Sequence, residues 1–343
     1  MYSPKRRFRL FRDPAFTGGG GAGPIDDSTL YTYSWVQQSS APSQRYAMFD
    51  IDNTGDVIVS TRWTSTDGAE GPYISTDGGA TWSRKVTGMT FGASSSTHSV
   101  CLARSSPTIM YATVSNSGSI FKSTNSGDSW TELTGAGVRN WQGIKCNETG
   151  EIVVAAASVG YLYKSTDGGS SWTAMTGSGT PQWDSVFVSD DGSVIVGLPV
   201  PGNLTISRNG GTTWSTVTSV GINKTWRGLS GSSDGSVLFA SAVGTERSYL
   251  STDSGVTWTQ LTSFGTAGSY WGTATSYSGR KLITAKGDGY AYVSQDGGTT
   301  WVEQTSLGIG VQTWEGLAMT PSGQKIIIGT QGNDKPRVAT GTA

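Results

Sequence analysis

The chain is predicted to be all-β: a seven-bladed β-propeller with four antiparallel strands per blade. Three observations predict it. The pattern Ser-x-(Asp/Asn)-x-Gly-x-x-Trp occurs six times, at Ser75–Trp82, Ser123–Trp130, Ser165–Trp172, Ser207–Trp214, Ser251–Trp258 and Ser294–Trp301. Its successive Ser positions lie 48, 42, 42, 44 and 43 residues apart. Between the copies, a Trp-x-(Gly/Ser/Thr)-apolar signal and a short apolar run recur in the same order. A fixed period in this range marks one supersecondary unit copied along the chain.

Each octad reads as strand, tight turn, strand. In the third copy Gly160-Tyr-Leu-Tyr-Lys leads in and Thr-Ala-Met-Thr leads out. The acid or amide (Asp77, Asn125, Asp167, Asn209, Asp253, Asp296) is expected to accept backbone N–H groups two residues on and so fix the turn. The Gly supplies a positive φ without steric cost. The Trp folds over the hairpin and buries a large apolar area. Asn loses little against Asp here, because its amide oxygen accepts the same bonds.

This octad resembles the Asp-box, the bacterial neuraminidase repeat, and all six copies keep its Ser, Gly and Trp. The resemblance implies a structural turn between the third and fourth strands of each blade, remote from any active site. These residues are therefore read as scaffold.

The Trp signal stands at Trp141-Gln-Gly-Ile, Trp183-Asp-Ser-Val, Trp226-Arg-Gly-Leu, Trp271-Gly-Thr-Ala and Trp314-Glu-Gly-Leu. Thr97-His-Ser-Val and Arg45-Tyr-Ala-Met are read as copies without Trp. These rings are expected to pack between blades, with stacking on sugar faces as the other use. Apolar runs such as Glu151-Ile-Val-Val-Ala and Gln324-Lys-Ile-Ile-Ile-Gly fit strands sandwiched between sheets. Inner-strand signals count seven and octads six. The chain ends reconcile the counts: Leu30-Tyr-Thr-Tyr-Ser-Trp35-Val-Gln-Gln resembles the outgoing strand Thr300-Trp301-Val-Glu-Gln. It is expected to complete the last blade, closing the ring and hiding a sheet edge.

Composition narrows the function classes. Among 343 residues only 14% are charged and 49 are Gly, and the net charge of −1 argues against a general nucleic-acid binder. Low charge with many Gly, Ser and Thr leans toward virion and extracellular β-proteins. The two cysteines, Cys101 and Cys146, fall at successive repeat positions in neighbouring inner strands. They are expected on opposite faces, without a disulfide. His98 is the only histidine, which removes His-rich metal sites and leaves one candidate imidazole base. No metal or cofactor is expected. No apolar run is long enough to span a membrane, and no apolar segment follows the N-terminal charges as in a secretory signal.

Residues 1–25 read as an arm and linker, and 26–343 as the ring. Arg6, Arg7, Phe8, Arg9, Phe11 and Arg12 mix charge with aromatic surface, and Gly18-Gly-Gly-Gly-Ala-Gly-Pro follows as a hinge. Such a segment is expected to dock on a partner; a free terminus is the other reading.

A ligand site is sought where the inner strands begin. The position after each inner-strand signal forms a variable rim: Tyr46, His98, Gln142, Asp184, Arg227, Gly272 and Glu315. A solvated rim without a ligand is the competing account. Two acids of that rim, Asp184 and Glu315, could face each other as a glycosidase pair. Sialidases, catalytic relatives implied by the Asp-box, use an arginine triad, and Arg45, Arg139 and Arg227 do not share one repeat position. The Phe/Tyr-Arg-Ile-Pro motif of that family is absent.

The repeat grammar is also similar to photosystem assembly-factor propellers over about residues 28–343, and to Asp-box propellers of phage virions. The arm, hinge and low charge point to the second. The expectation is a non-enzymatic virion component (tail, fibre or decoration protein). Its arm would hold another virion protein and its ring would present a surface to a host glycan or surface protein. An extracellular, periplasmic or thylakoid-lumen protein, a sialidase-like hydrolase and an assembly chaperone are the alternatives.

Overall fold

Seven six-residue runs form the innermost strands: Tyr46–Ile51, Thr97–Leu102, Trp141–Cys146, Trp183–Val188, Trp226–Gly231, Tyr270–Thr275 and Trp314–Met319. Each heads a four-stranded antiparallel sheet, and seven such sheets make the ring. The computed structural model describes residues 25–343 apart from 63–70, 93, 94, 117, 223, 245, 288, 308–312 and 333. The arm residues Arg6, Arg7, Phe8, Arg9, Phe11 and Arg12 lie outside the described residues.

The apolar runs become second strands buried on both faces, such as Val153–Ala157 and Ile195–Pro199. They are two-faced because each blade is packed between neighbours. The layer between blades 4 and 5 shows this: Phe187, Val196, Leu198 and Leu204 meet Trp226, Leu238 and Ala240. Four of the inner-strand tryptophans, Trp141, Trp183, Trp226 and Trp314, are at most 1% exposed. Their indole N–H groups are not wasted: they donate to the carbonyls of Gly137, Gly160, Gly202 and Gly289.

The octad turn is built by its own side chains. Around Asp167, the Gly169 N–H donates to Ser165 Oγ at 2.8 Å, and Ser165 Oγ donates to the carboxylate at 2.8 Å. The carboxylate accepts the Ser171 N–H at 2.9 Å, four residues on rather than two. The reason is local: two successive positive-φ residues, Gly168 at 65° and Gly169 at 91°, curl the chain and carry the next N–H groups past the carboxylate. Trp172 closes the turn by donating to the Gly169 carbonyl. Asn125 and Asn209 accept the equivalent N–H groups of Ser129 and Thr213.

Blade 7 is closed by the start of the ring. Thr32–Gln37 pairs antiparallel with Arg337–Thr342, from Thr32 opposite Thr342 to Gln37 opposite Arg337. The segment before this strand is clamped to blade 6. Gln295 bonds both the N–H and the carbonyl of Tyr31, at 2.7 and 2.8 Å. The Tyr31 ring lies 4.2 Å from Lys281 Nζ. Asp27 is buried and accepts Ser276 Oγ at 2.6 Å and the Ser278 N–H at 3.1 Å. Blades 4 and 5 build the same hairpin turn differently: Ser189 and Ser232 donate, at 2.6 Å, to Asp191 and Asp234 two residues on. Blade 6 has Ser278 in that place, and Asp27 brings the missing carboxylate from the ring's N-terminal segment.

Cys101 and Cys146 are free thiols, yet they share one buried cluster between blades 2 and 3. Pointing to opposite faces of adjacent blades brings them together, because those two faces are the ones that stack. Burial, and contact with the Cys146 thiol, pushes the Cys101 thiol well above its ordinary range.

Candidate functional site: the channel mouth

Each inner strand slips register after its first residue. Trp141 stands opposite Ala157 while Gly143 stands opposite Ala156, so Gln142 has no partner. The same slip frees Ala47, His98, Asp184, Arg227 and Trp271, and in blade 7 Glu315 with Gly316. A bulged residue is turned out of the ladder. Here the seven bulges together aim one side chain per blade into the central channel, which encloses about 140 Å³.

Six of the rim residues expected from sequence line this channel: His98, Gln142, Asp184, Arg227, Gly272 and Glu315. Tyr46 does not. It is fully buried at the blade-packing position, stacks on Phe49 at 5.6 Å between ring centroids, and donates its hydroxyl to the Pro42 carbonyl. Ala47 takes the rim position in blade 1. In blade 6 the packing position belongs to Tyr270, whose hydroxyl donates to the Thr266 carbonyl, and the rim position to Trp271 rather than Gly272. Aligning on the Gly of Trp-x-Gly, instead of on the Trp, places Tyr270-Trp271-Gly272 correctly; that was the signal available.

The charges of the mouth meet in pairs. Arg45 grips Glu315 with both ends of its guanidinium, Nε to Oε2 and Nη2 to Oε1, each at 2.8 Å. Arg227 Nη1 lies 3.4 Å from Asp184 Oδ1. The Arg227 guanidinium also stands 5.5 Å from the centre of the Trp271 ring, and its Nε is buried without a hydrogen-bond partner. His98 donates Nδ1–H to the Gln142 carbonyl at 2.8 Å. Burial holds its imidazole below the ordinary range against the pull of Asp184 and Glu315. Burial raises the Asp184 carboxyl, with Glu315 adding to it and Arg227 and His98 opposing. Arg139 is not at the mouth's centre; its guanidinium covers Tyr163 at 4.5 Å.

A second charged layer lies toward the other end of the channel. Lys145 Nζ reaches Asp50 at 3.3 Å, and Arg104 Nη2 stands 3.7 Å from Asp190. Among the described residues no group of three or more His, Cys, Asp or Glu side chains stands in an arrangement for a metal ion.

The arrangement offers hydrogen-bond acceptors, one aromatic plate and two guanidinium groups within a narrow opening. Its acids are already engaged by arginines. That favours holding a ligand over attacking one, since both oxygens of Glu315 are already committed to the Arg45 guanidinium.

No family model and no curated protein matches the chain. Solved structures do. The GH74 enzyme of Niastella koreensis superposes with a TM-score of 0.68 at 16% identity, over 87% of this chain and 53% of its own. The GH74 xyloglucanase of Xanthomonas campestris gives 0.65 at 12%, over 88% and 53%. This chain thus spans about half the length of those enzymes. YCF48 from Cyanidioschyzon merolae gives 0.66 at 16%, over 90% and 98%, and YCF48 bound to D1 peptide gives 0.66 at 15%, over 93% and 100%. At these identities the likeness establishes the seven-bladed propeller and nothing finer.

Proposed function

We propose that this chain is a non-enzymatic recognition propeller whose channel mouth is the ligand-facing surface. The observation that carries this reading is the internal pairing of the mouth's charges, Glu315 with Arg45 and Asp184 with Arg227. The finer reading is a virion component anchored through residues 1–25. It draws on the basic, aromatic arm and on the position of Asp27. That residue docks on the turn after the blade 6 inner strand, at the end of the channel opposite Trp271. An anchor entering there leaves the mouth facing outward, toward a host glycan or surface protein.

One observation favours a second reading. A buried carboxyl with a raised pKa, as at Asp184, is how a general acid is prepared. A hydrolase therefore stays in the test. The full chain is to be screened against peptide and glycan libraries, and incubated with polysaccharides and aryl glycosides. The expected result is saturable binding lost on Arg227→Ala, with no release of sugar. Turnover abolished by Asp184→Asn would overturn the non-enzymatic reading. For the anchor, a chain lacking residues 1–24 is expected to lose co-purification with its particle; retention without the arm sinks that part.

A further inference from the structure

The described residues contain twelve tryptophans. Eleven donate their indole N–H to an acceptor within the protein. The exception is Trp271. The described indoles are satisfied so consistently that one open N–H, at the one rim position held by an indole, points to a ligand. Buried or interfacial indoles ordinarily find a partner.

The surroundings of Trp271 keep it available. It borders the channel on one side and a cleft of about 440 Å³ between blades 6 and 7 on the other. Ser269, Lys286, Thr313 and Gln331 supply polar groups around that cleft. Gly287 lies against the indole, where an added Cβ would stand 2.8 Å from Nε1. Any larger residue there would crowd the open N–H. Arg227 backs the ring from within the channel at 5.5 Å, fixing the plate by cation–π attraction.

Three features select the ligand's chemistry. The cleft falls within the roughly 300–1,000 Å³ usual for small-ligand sites, whereas the channel is below it, so an occupant lies in the cleft and inserts only one end. The rim's formal charges cancel, Arg45 against Glu315 and Arg227 against Asp184, and Lys286 in the cleft is buried with its ammonium on Thr266 Oγ1 at 2.9 Å; a strongly charged ligand gains little and must compete with partners already in place. What remains is a flat apolar plate edged by one donor and several acceptors. A pyranose matches it, with an apolar C–H face for the indole and hydroxyls for its N–H and for the paired carboxylates. An extended peptide matches less well, because strand addition needs room along an unpaired sheet edge, and the inner strands turn their unpaired edges to a channel of only about 140 Å³.

We propose that Trp271 anchors a carbohydrate subsite. A neutral oligosaccharide lies along the cleft between blades 6 and 7, stacks one ring on the indole, accepts its N–H, and places its end against the channel mouth. This rests on the recognition reading above and names its ligand class.

The test uses the full chain and six probes. Four are uncharged: cellotetraose, xylotetraose, chitotetraose and maltotetraose. The others are a sialylated and a sulfated oligosaccharide. Binding is read by calorimetry and by the indole N–H resonances of the ¹⁵N-labelled protein. At least one neutral probe is expected to bind and to shift the resonance that Trp271→Phe removes. Trp271→Ala should weaken that probe by about tenfold or more, and Trp271→Phe by less, since the ring face survives. Gly287→Val, which crowds the plate without touching the indole's chemistry, should weaken it too. Unchanged melting of both Trp271 variants shows that the fold is intact. Binding indifferent to Trp271→Ala overturns the subsite, as does binding of the charged probes alone. Failure of all four neutral probes while a peptide binds at the mouth refutes the carbohydrate class and leaves the recognition reading standing. Hydrolysis of a bound tetrasaccharide keeps the subsite and refutes the non-enzymatic reading.

Discussion

Trp183 and Trp271 show how one residue type takes two jobs. Trp183 is 1% exposed, donates to the Gly160 carbonyl and lies over Gly197, where an added Cβ would stand 2.4 Å from the ring. Trp183→Ala should cost about 3–5 kcal/mol, the usual penalty for emptying an aromatic site in a core. Guanidinium unfolding measures it, and a loss below about 1 kcal/mol would show the inter-blade layer to be looser than its burial implies. Both tryptophans carried the same sequence signal. Only the neighbouring Tyr270, which can fill a packing position and satisfy its hydroxyl locally, told them apart.

At the scale of elements, ring closure depends on Thr32–Gln37 and on the clamp before it. Removing residues 1–24 should leave the melting temperature within a few degrees, because Asp27, Tyr31 and the strand Thr32–Gln37, which clamp and close the ring, all remain. Removing residues 1–37 uncovers the Arg337–Thr342 edge and should yield aggregated protein on size exclusion. Asp27→Ala lies between: it strips Ser276 Oγ and Ser278 of a buried charged acceptor, at about 1–3 kcal/mol. Unfolding of the 25–343 chain would show the arm to be part of the ring's stability. The closing strand was legible from its likeness to Thr300-Trp301-Val-Glu-Gln. The clamp was not, since Ser278 reads as an ordinary turn residue until Asp27 stands beside it.

At the scale of the whole molecule, the repeated turn gives the ring a shared response to acid. The Ser171 hydroxyl and N–H, with Ser165, hold Asp167 down to about 2 from an ordinary 3.8. Asp253 is lowered by the Thr257 hydroxyl and N–H in the same way. At Asp77 and Asp296 burial pulls upward, and the Thr81 and Thr300 groups outweigh it. A carboxyl depressed in the folded state contributes its stability above the unfolded value of 3.8. That contribution is lost as pH falls through the folded value. Melting temperature should therefore hold above about pH 4 and drop between pH 4 and 2. Replacing the four turn aspartates by Asn, as the protein already does at Asn125 and Asn209, should flatten that drop. An unchanged slope would place the acid response elsewhere.

The blade count, the four strands per blade and the ring closure were decided by the sequence itself. They follow from interactions between near neighbours, such as Ser165 with Gly169 and Asp167 with Ser171, repeated at a constant period. The tertiary structure alone decided which side chains reach the channel and what they meet. A bulge of one residue turns Ala47 and Trp271 inward in place of Tyr46 and Gly272, and a shift of one place along a strand exchanges its two faces. The pairs that define the mouth join Arg45 to Glu315, 270 residues apart, and Asp184 to Arg227, 43 apart. The faces of Cys101 and Cys146 meet only because blades 2 and 3 stack. Local hydrogen bonding writes a repeat into the chain; partners across a closed ring are chosen by the closure.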